Sequence, residues 1–258
     1  MDALRVERDG PLLRVTLARP ERRNAFDAAL IAELTAAFAD VGDARAVVLA
    51  GDGPSFCAGG DIGWMRGSAE LSYERNVEDA LTMLRMFETI DACPAPVVCR
   101  VQGFALGGGC GLVACSDVAV APPDAVFALS EVKLGIVPGV ISPFVLGKIG
   151  PSAARRYFVT GERFDGVTAL RIGLVHELAE DTEAAVERVV AELLTAGPEA
   201  VRVAKTLARA PVPGEESARL IAELRAAPEG QEGLRAFLDG RRPGTPGFAS
   251  WSPPADDG

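Results

Sequence analysis

Histidine is almost absent from this sequence, and its scarcity excludes several kinds of chemistry. His176 is the only histidine among the 258 residues. A histidine-rich metal site needs several imidazole ligands, so we expect no metal. Ser-His-Asp catalysis would have to use His176, yet the chain contains no GxSxG nucleophile motif. His176 follows three apolar residues in a predicted strand, which favours a structural or surface role.

Paired cysteines and long apolar runs are also missing. The five cysteines lie among apolar or small residues, and none forms a CxxC pair. This pattern disfavours disulfides and zinc sites and favours buried free thiols. The first ten residues lack the apolar segment of a secretory signal, and no stretch approaches 18 uninterrupted apolar residues. We therefore expect a cytoplasmic protein with no membrane partner.

Excess positive charge is the third absence. The formal net charge is −10, whereas a phosphate-binding surface needs concentrated Lys and Arg. Nucleic acid is therefore excluded as the main partner. The hydrophobic content of 48% is ample for a buried core, so we expect a globular chain.

Glycine, by contrast, is concentrated in two informative stretches, 55–65 and 103–117. In the second, Gly107-Gly108-Gly109 stands where a helix begins after a strand-like run. Free N–H groups at a helix start stabilise a nearby negative oxygen, and glycine avoids crowding the ligand. If the loop at 58–61 supplies a second N–H, the two groups form an oxyanion hole.

A third stretch, 127–145, contains the candidate acid or base Glu131. This residue lies among apolar residues just after a predicted strand. A carboxyl group in an apolar pocket has a raised pKa and can exchange a proton near neutral pH. Taken alone, Glu131 fits a solvated loop residue better, but a position beside the oxyanion hole favours catalysis.

The sequence allows two roles for each of the other candidate site residues. Asp61 either contacts a ligand through its loop or caps the following helix. Trp64 and Met65 either line a pocket or belong to the core. Arg22 and Arg23 either bind phosphates or are solvated.

The order of predicted elements indicates an α/β fold. A hairpin at 4–8 and 12–18 precedes a helix capped by Asp27 and a buried strand at 46–50. The later predicted elements are a helix at 70–91, strands at 97–101, 117–121, 125–129 and 174–178, a short helix opened by the glycine loop, helices at 142–159 and 165–171, and helices from 182 onward. Strand pairs alternating with helices suggest a stacked ββα spiral, although no strict repeat is present. We expect the tail after Pro243 to be loosely ordered.

Three motifs occur together: AGGD at 58–61, GGG at 107–109 and ExxxGIVPG beginning at Glu131. In this order and spacing, the chain resembles the enoyl-CoA hydratase/isomerase superfamily, also called the crotonase family. The resemblance implies a crotonase-type ββα spiral core over 1–195. It also implies a C-terminal helical oligomerisation region with a tail over 196–258, which joins trimers that commonly pair into hexamers.

The resemblance also implies roles for individual residues. The N–H groups of Gly60 and Gly108 would hold the thioester oxygen of an acyl-CoA as it becomes an enolate. Glu131 would be the proton donor and acceptor at carbon 2, with no cofactor beyond the coenzyme A of the substrate. The other substrate-binding positions are Arg23 and Ala25 near the nucleotide, Ala58, Asp61 and Ile62 beside the pantetheine, and Gly107, Gly111, Ser130, Pro138 and Gly139.

One position departs from the family pattern. The usual hydratases carry a second glutamate where this chain has Gly111. Together with SEVKLGIVPGVISPFV, this glycine is similar to a bacterial subgroup assigned to branched or carboxylated enoyl-CoAs such as 3-methylglutaconyl-CoA. The resemblance therefore favours a hydratase. The alternatives are a Δ3,Δ2-enoyl-CoA isomerase that uses Glu131 alone, and a non-catalytic acyl-CoA-binding protein.

Overall fold

The computed structural model describes residues 3–210 and 212–244. The chain divides into two compact units between Val186 and Glu187. The boundary expected after residue 195 lies within the second of these units. Most of the tail that we expect to be loosely ordered, from residue 245 onward, lies outside the described residues.

The strands of the first unit form two sheets. They are β1 (Leu4–Asp9), β2 (Leu12–Leu17), β3 (Ala46–Gly51), β4 (Val97–Arg100), β5 (Phe104–Leu106), β6 (Val118–Ala121), β7 (Val126–Ala128), β8 (Arg163–Asp165) and β9 (Glu177–Leu178). The larger sheet has the order β1-β2-β3-β4-β6-β9, and the smaller has the order β5-β7-β8. β1 and β2 form the predicted antiparallel hairpin, and the remaining pairs of the larger sheet are parallel.

Helices follow most of the strands. They are α1 (Ala28–Ala39), α2 (Ile62–Ala69), α3 (Tyr73–Asp91), α4 (Gly108–Cys115), α5 (Ser142–Thr160), α6 (Gly166–Ile172), α7 (Thr182–Thr195), α8 (Pro198–Arg209), α9 (Gly214–Ala226) and α10 (Pro228–Leu238). Short 3-10 helices cover Pro20–Arg22 and Glu131–Leu134. The fold is thus the mixed α/β architecture that the sequence predicts. In the described chain, no helix combines the length and the apolar character needed to span a membrane.

Local signals explain the first helix. The Asp27 carboxylate accepts a hydrogen bond from the Leu30 N–H at 3.0 Å and so caps α1. The apolar residues at helical spacing, Leu30, Ile31, Leu34 and Phe38, are all buried. They pack in one core cluster with Val47 and Leu49 of β3. Because side chains alternate along a strand, Val47 and Leu49 lie on the same face of β3, and this face packs against α1 in a helix layer that covers one side of the larger sheet.

Two differences from the predicted elements have physical reasons. β5 and β8 are not among the predicted strands, because each contains only three residues and shows little alternation. The three-residue β7 lies within the longer apolar run at 125–129, which predicts it. The strand predicted at 174–178 shortens to β9, because the N–H groups of Leu174 and Val175 bond to the Ala169 carbonyl at 2.9 and 3.3 Å. These bonds form a turn after α6 instead of a strand.

Candidate active site

The start of α4 provides the first part of the site. Gly107 has a φ of +51°, and its N–H donates to the Ala128 carbonyl at 2.8 Å. Gly108 is the first residue of α4, so its N–H precedes the hydrogen-bond ladder of the helix. A Cβ placed on Gly108 would lie 2.5 Å from Cε2 of Phe26, so a side chain cannot be accommodated without movement.

The loop before α2 provides the second part. Gly60 forms a parallel bridge with Phe26. The Phe26 N–H donates to the Gly59 carbonyl, and the Asp61 N–H donates to the Phe26 carbonyl, each at 2.7 Å. In a parallel pairing of this kind, the N–H of the central residue points away from the partner segment. The N–H of Gly60 is therefore directed away from Phe26.

The two glycine loops pack directly against each other. The Cys57 N–H donates to the Phe104 carbonyl at 3.1 Å, and the Leu106 N–H donates to the Cys57 carbonyl at 3.0 Å. A Cβ on Gly59 would lie 2.8 Å from the Leu106 carbonyl oxygen and 3.6 Å from the Gly108 nitrogen. This close approach brings the loop that carries Gly60 beside the start of α4, as an oxyanion hole requires.

Glu131 brings a carboxyl group to the same place. It is the first residue of the 3-10 helix Glu131–Leu134, and its Oε1 lies 3.1 Å from the position of a Cβ on Gly107. Its Oε2 is buried and has no hydrogen-bond partner among the described residues. Burial raises the pKa of Glu131. A carboxyl group with a raised pKa is suited to act as a general base and then as a general acid.

Aromatic and aliphatic side chains occupy the space beside Gly111. A Cβ on Gly111 would lie 2.5 Å from Cγ2 of Ile141 and 2.8 Å from Cε1 of Phe87. The Phe87 ring packs between Phe26 and Phe144, with ring centroids 6.2 and 6.0 Å away. Position 111 therefore lacks a carboxylate and, in this packing, also lacks room for one.

Asp61 acts as a helix cap. Its Oδ1 accepts hydrogen bonds from the N–H groups of Gly63 at 2.8 Å and Trp64 at 3.2 Å, at the start of α2. Its Oδ2 accepts a hydrogen bond from Arg22 at 3.2 Å. Burial raises the pKa of Asp61, but these hydrogen bonds and the Arg22 charge outweigh it and hold the pKa below its usual value.

Trp64 and Met65 flank the Gly60 loop. A Cβ on Gly60 would lie 3.4 Å from Cγ of Met65 and 3.5 Å from Cζ3 of Trp64. Trp64 is half-buried and also packs against the core cluster. Each side chain thus borders the candidate oxyanion hole.

The residues expected near the nucleotide and pantetheine differ in exposure. The Arg23 guanidinium lies 5.7 Å from the centroid of the Phe104 ring, and Arg23 itself is exposed. Ala25 is buried, while Ile62 is 67% exposed. Ala58 donates its N–H to the Arg23 carbonyl at 3.0 Å, which joins the two loops.

The remaining predicted positions border the Glu131 segment. Ser130 directly precedes the 3-10 helix and is half-buried. Pro138 is buried, and Gly139 forms a tight turn with its N–H donating to the Val137 carbonyl at 2.7 Å. This turn leads into α5 and brings Ile141 to Gly111.

The single histidine and the cysteines lie outside this chemistry. Nδ1 of His176 accepts a hydrogen bond from the Ala119 N–H at 3.0 Å, which supports the structural role expected for it. Burial and the nearby Lys148 lower the pKa of His176. All five cysteines are buried and none of them forms a disulfide, as predicted, and burial raises the pKa of Cys57 and of Cys99 to about 12. These thiols are therefore poor nucleophiles at neutral pH.

A charged cleft of about 200 Å³ lies on the face of the larger sheet opposite the helix layer. Its charged lining consists of Arg5, Arg14, Arg100, Glu7, Asp52 and Glu183. Arg5 pairs with Asp52 at 2.7 Å, and Glu183 pairs with both Arg14 and Arg100 at 3.4 and 3.0 Å. The cleft is thus a balanced ion-pair network separate from the glycine loops.

Sequence reasoning does not single out Asn24, whose amide is buried and donates hydrogen bonds to the carbonyl groups of Asp52 and Ser55. Its signal is weak, because Asn is common in loops and the neighbouring arginines dominate the stretch RPERRNAFD. Phe26 and Phe87 are likewise missed as residues of the site. Their positions at Gly108 and Gly111 depend on distant parts of the chain.

Comparisons with known proteins identify relatives along nearly the whole chain. The family model for enoyl-CoA hydratase/isomerase matches residues 7–244. The enoyl-CoA hydratase AKT6-1 of Alternaria alternata is 36% identical over 242 residues, which cover 89% of this chain and 79% of that protein. The crystal structure of an enoyl-CoA hydratase from Shewanella pealeana has a TM-score of 0.89 at 36% identity and covers 94% of this chain and 96% of its own. Pseudomonas aeruginosa AtuE has a TM-score of 0.88 at 40% identity, covering 93% and 98%.

Proposed function

Because the chain belongs to the enoyl-CoA hydratase/isomerase family, we propose that it is an enoyl-CoA hydratase, an enzyme of the lyase class. Such an enzyme adds water across the 2,3 double bond of an enoyl-CoA thioester. The observation that carries this proposal is the half-buried Glu131, whose buried Oε2 has no hydrogen-bond partner among the described residues, beside two converging glycine loops.

The glycine loops would stabilise the negative charge that develops on the thioester oxygen. When water adds at carbon 3, electrons move through the double bond and produce an enolate oxygen. The N–H groups of Gly60 and Gly108 would donate hydrogen bonds to that oxygen. Removing one donor from such a site typically costs about two to three orders of magnitude in rate.

Glu131 would move the proton. As the water oxygen bonds to carbon 3, the ionised carboxylate takes one proton from that water. The protonated carboxyl then gives the proton to carbon 2 of the enolate, which restores the carbonyl and the free carboxylate. One carboxylate is sufficient because the proton removed is the proton returned.

The most specific part of the proposal is the identity of the acyl group in the substrate. The segment SEVKLGIVPGVISPFV together with Gly111 favours a branched or carboxylated enoyl-CoA, such as 3-methylglutaconyl-CoA. We propose no cofactor beyond the coenzyme A of the substrate, and a reducing cytoplasm is consistent with five buried cysteines that form no disulfide.

A Δ3,Δ2-enoyl-CoA isomerase is the second candidate. It is favoured by the packing at Gly111, which leaves Glu131 without a second carboxylate from position 111. One carboxylate is sufficient to move a proton between carbons 4 and 2. The same packing motivates the third candidate, a protein that binds acyl-CoA without turnover.

The distinguishing experiment uses heavy-oxygen water. Purified protein is incubated with crotonyl-CoA, 3-methylglutaconyl-CoA and a 3-enoyl-CoA, and the products are followed by mass. We expect one labelled oxygen in a 3-hydroxyacyl-CoA. The Glu131→Gln variant is the matched control, because it keeps the shape of the side chain and removes the base.

Each other outcome contradicts the proposal in a specific way. Conversion of the 3-enoyl to the 2-enoyl compound without label identifies an isomerase. Tight acyl-CoA binding without hydration, isomerisation or solvent exchange at carbon 2 identifies a binding protein. Full activity of Glu131→Gln would remove Glu131 from the mechanism.

A further inference from the structure

We infer that Asn24 is a positioning residue, which fixes the N–H of Gly60 in the oxyanion hole through the loop at 57–61. This inference rests on the proposed function, since it assigns the residue that sets the geometry of the same site. Asn24 does not touch the reacting atoms in this assignment. It acts through the backbone that carries Gly60.

The Asn24 amide joins two loops. It is completely buried, and its Oδ1 accepts a hydrogen bond from the Arg19 N–H at 2.9 Å. Its Nδ2 donates to the carbonyl groups of Asp52 and Ser55, each at 2.9 Å. Both amide hydrogens are therefore used, and the loop after β2 is fastened to the loop after β3.

The backbone at Asn24 is bent to meet the Gly60 loop. Arg23 and Asn24 have φ values of +53° and +54°, in the left-handed region that Asn tolerates better than most residues. This bend directs the Arg23 carbonyl to the Ala58 N–H at 3.0 Å. It also directs the Asn24 carbonyl to the Cys57 thiol at 3.1 Å. Two consecutive carbonyl groups thus bind the residues just before Gly59 and Gly60.

The next two residues complete the connection. Phe26 bonds to Gly59 and Asp61 on either side of Gly60, and its ring lies 2.5 Å from the position of a Cβ on Gly108. The segment 24–26 therefore contacts both glycine loops at once. A shift of this segment would change the separation of the N–H groups of Gly60 and Gly108. Misplacement by about 1 Å can cost a hundredfold in rate.

Asn24→Asp is the sharpest test, because the two side chains have the same shape but the carboxylate cannot donate to Asp52 and Ser55. Asn76→Asp is the matched control. Nδ2 of Asn76 also donates to two carbonyl groups, those of Leu71 at 3.2 Å and Ser72 at 3.3 Å, but in the first turn of α3.

The readouts are kcat and KM for hydration, the melting temperature and the infrared carbonyl stretch of bound butyryl-CoA labelled with carbon-13 at the thioester. This saturated compound cannot be hydrated, so the stretch reports only the hydrogen bonds to its oxygen.

We expect folded Asn24→Asp to lose kcat by about ten- to a hundredfold, with KM changed by less than about threefold. The carbonyl stretch of bound butyryl-CoA should move toward the value in water, because the oxyanion hole polarises the carbonyl less. Asn76→Asp should retain both the wild-type kcat and the wild-type carbonyl stretch. If Asn24→Asp does not fold, Asn24→Ser replaces it and is held to the same expectations.

Three results separate the possible failures. A folded Asn24 variant with wild-type kcat and carbonyl stretch overturns the inference while leaving the proposed function intact. Unfolding of both Asn24 variants also overturns it, because the residue then supports the whole fold. A wild-type protein that neither binds butyryl-CoA nor hydrates an enoyl-CoA refutes the proposed function itself.

Discussion

At the scale of single residues, Glu131 connects activity to pH. Burial raises its pKa, and the proposed mechanism begins from its ionised form. We expect kcat/KM to rise with pH along an acidic limb that lies above the usual range of an exposed glutamate. Glu131→Gln should lower kcat by about two to four orders of magnitude. A pH profile of the wild type and a rate measurement on the variant check both expectations.

The same pKa shift predicts an opposite effect on stability. The folded state holds the Glu131 proton to a higher pH than the unfolded state, so stability falls as pH rises between the two pKa values. Glu131→Gln removes this loss, and its melting temperature above that window should exceed that of the wild type. The exposed Glu192→Gln on α7 is the control and should not reproduce the gain. A lower melting temperature for Glu131→Gln at a pH above that window would contradict this assignment.

Gly111 allows a second prediction at this scale. Gly111→Glu should destabilise the protein by at least about 1–3 kcal/mol, because the new side chain would overpack Phe87 and Ile141. It should also bring no gain in hydration rate. The control is Gly147→Glu on α5, where a Cβ meets no atom within 4 Å. Urea unfolding measures both variants, and a stable Gly111→Glu enzyme with faster hydration would show that the site has room for a second carboxylate.

At the scale of elements, α5 contains a break in its helical backbone, which substitutions of two glycines can test. Gly150 has a φ of +67° and a ψ of 168°, a conformation almost exclusive to glycine, and Pro151 follows it. Gly150→Ala should therefore cost about 1–3 kcal/mol. Gly147→Ala, in the regular part of the same helix, should instead stabilise by about 0.5–1 kcal/mol. Equal effects of the two substitutions in urea unfolding would show that the break is not required.

The elements differ in how well the sequence predicts them. The β1–β2 hairpin and the Asp27 cap of α1 follow from signals within a few residues, and both are confirmed. β5 and β8 depend on β7, which lies between them in the smaller sheet. The three residues of β5 and of β8 carry too little pattern of their own, whereas β7 lies within the apolar run at 125–129, which predicts it.

At the scale of the whole molecule, we propose that the protein forms homotrimers or pairs of trimers through its C-terminal helices. Apolar side chains are exposed there, among them Ile221 at 49% and Leu238 at 79%. Sedimentation should give three or six times the mass of one chain. The double variant Ile221→Glu and Leu238→Glu should shift this mass toward a single chain. Val159→Glu, at an apolar position 76% exposed in the first unit, is the control and should keep the wild-type mass.

The candidate site divides into what the sequence alone determined and what only the tertiary structure decided. The glycine motifs were predictable, because helix starts and turns depend on adjacent residues. The sequence allowed two interpretations of Asp61, and the structure shows the helix cap. The sequence singled out Glu131, but its place beside Gly107 depends on the tertiary structure. The filling of the space at Gly111 by Phe87 and Ile141, and the fastening of the Gly60 loop by Asn24, were not predictable. These contacts join segments far apart in the chain, and their distances depend on how the sheets and helices pack. Short-range patterns carry no information about such packing, whereas the close-packed interior determines it to fractions of an ångström.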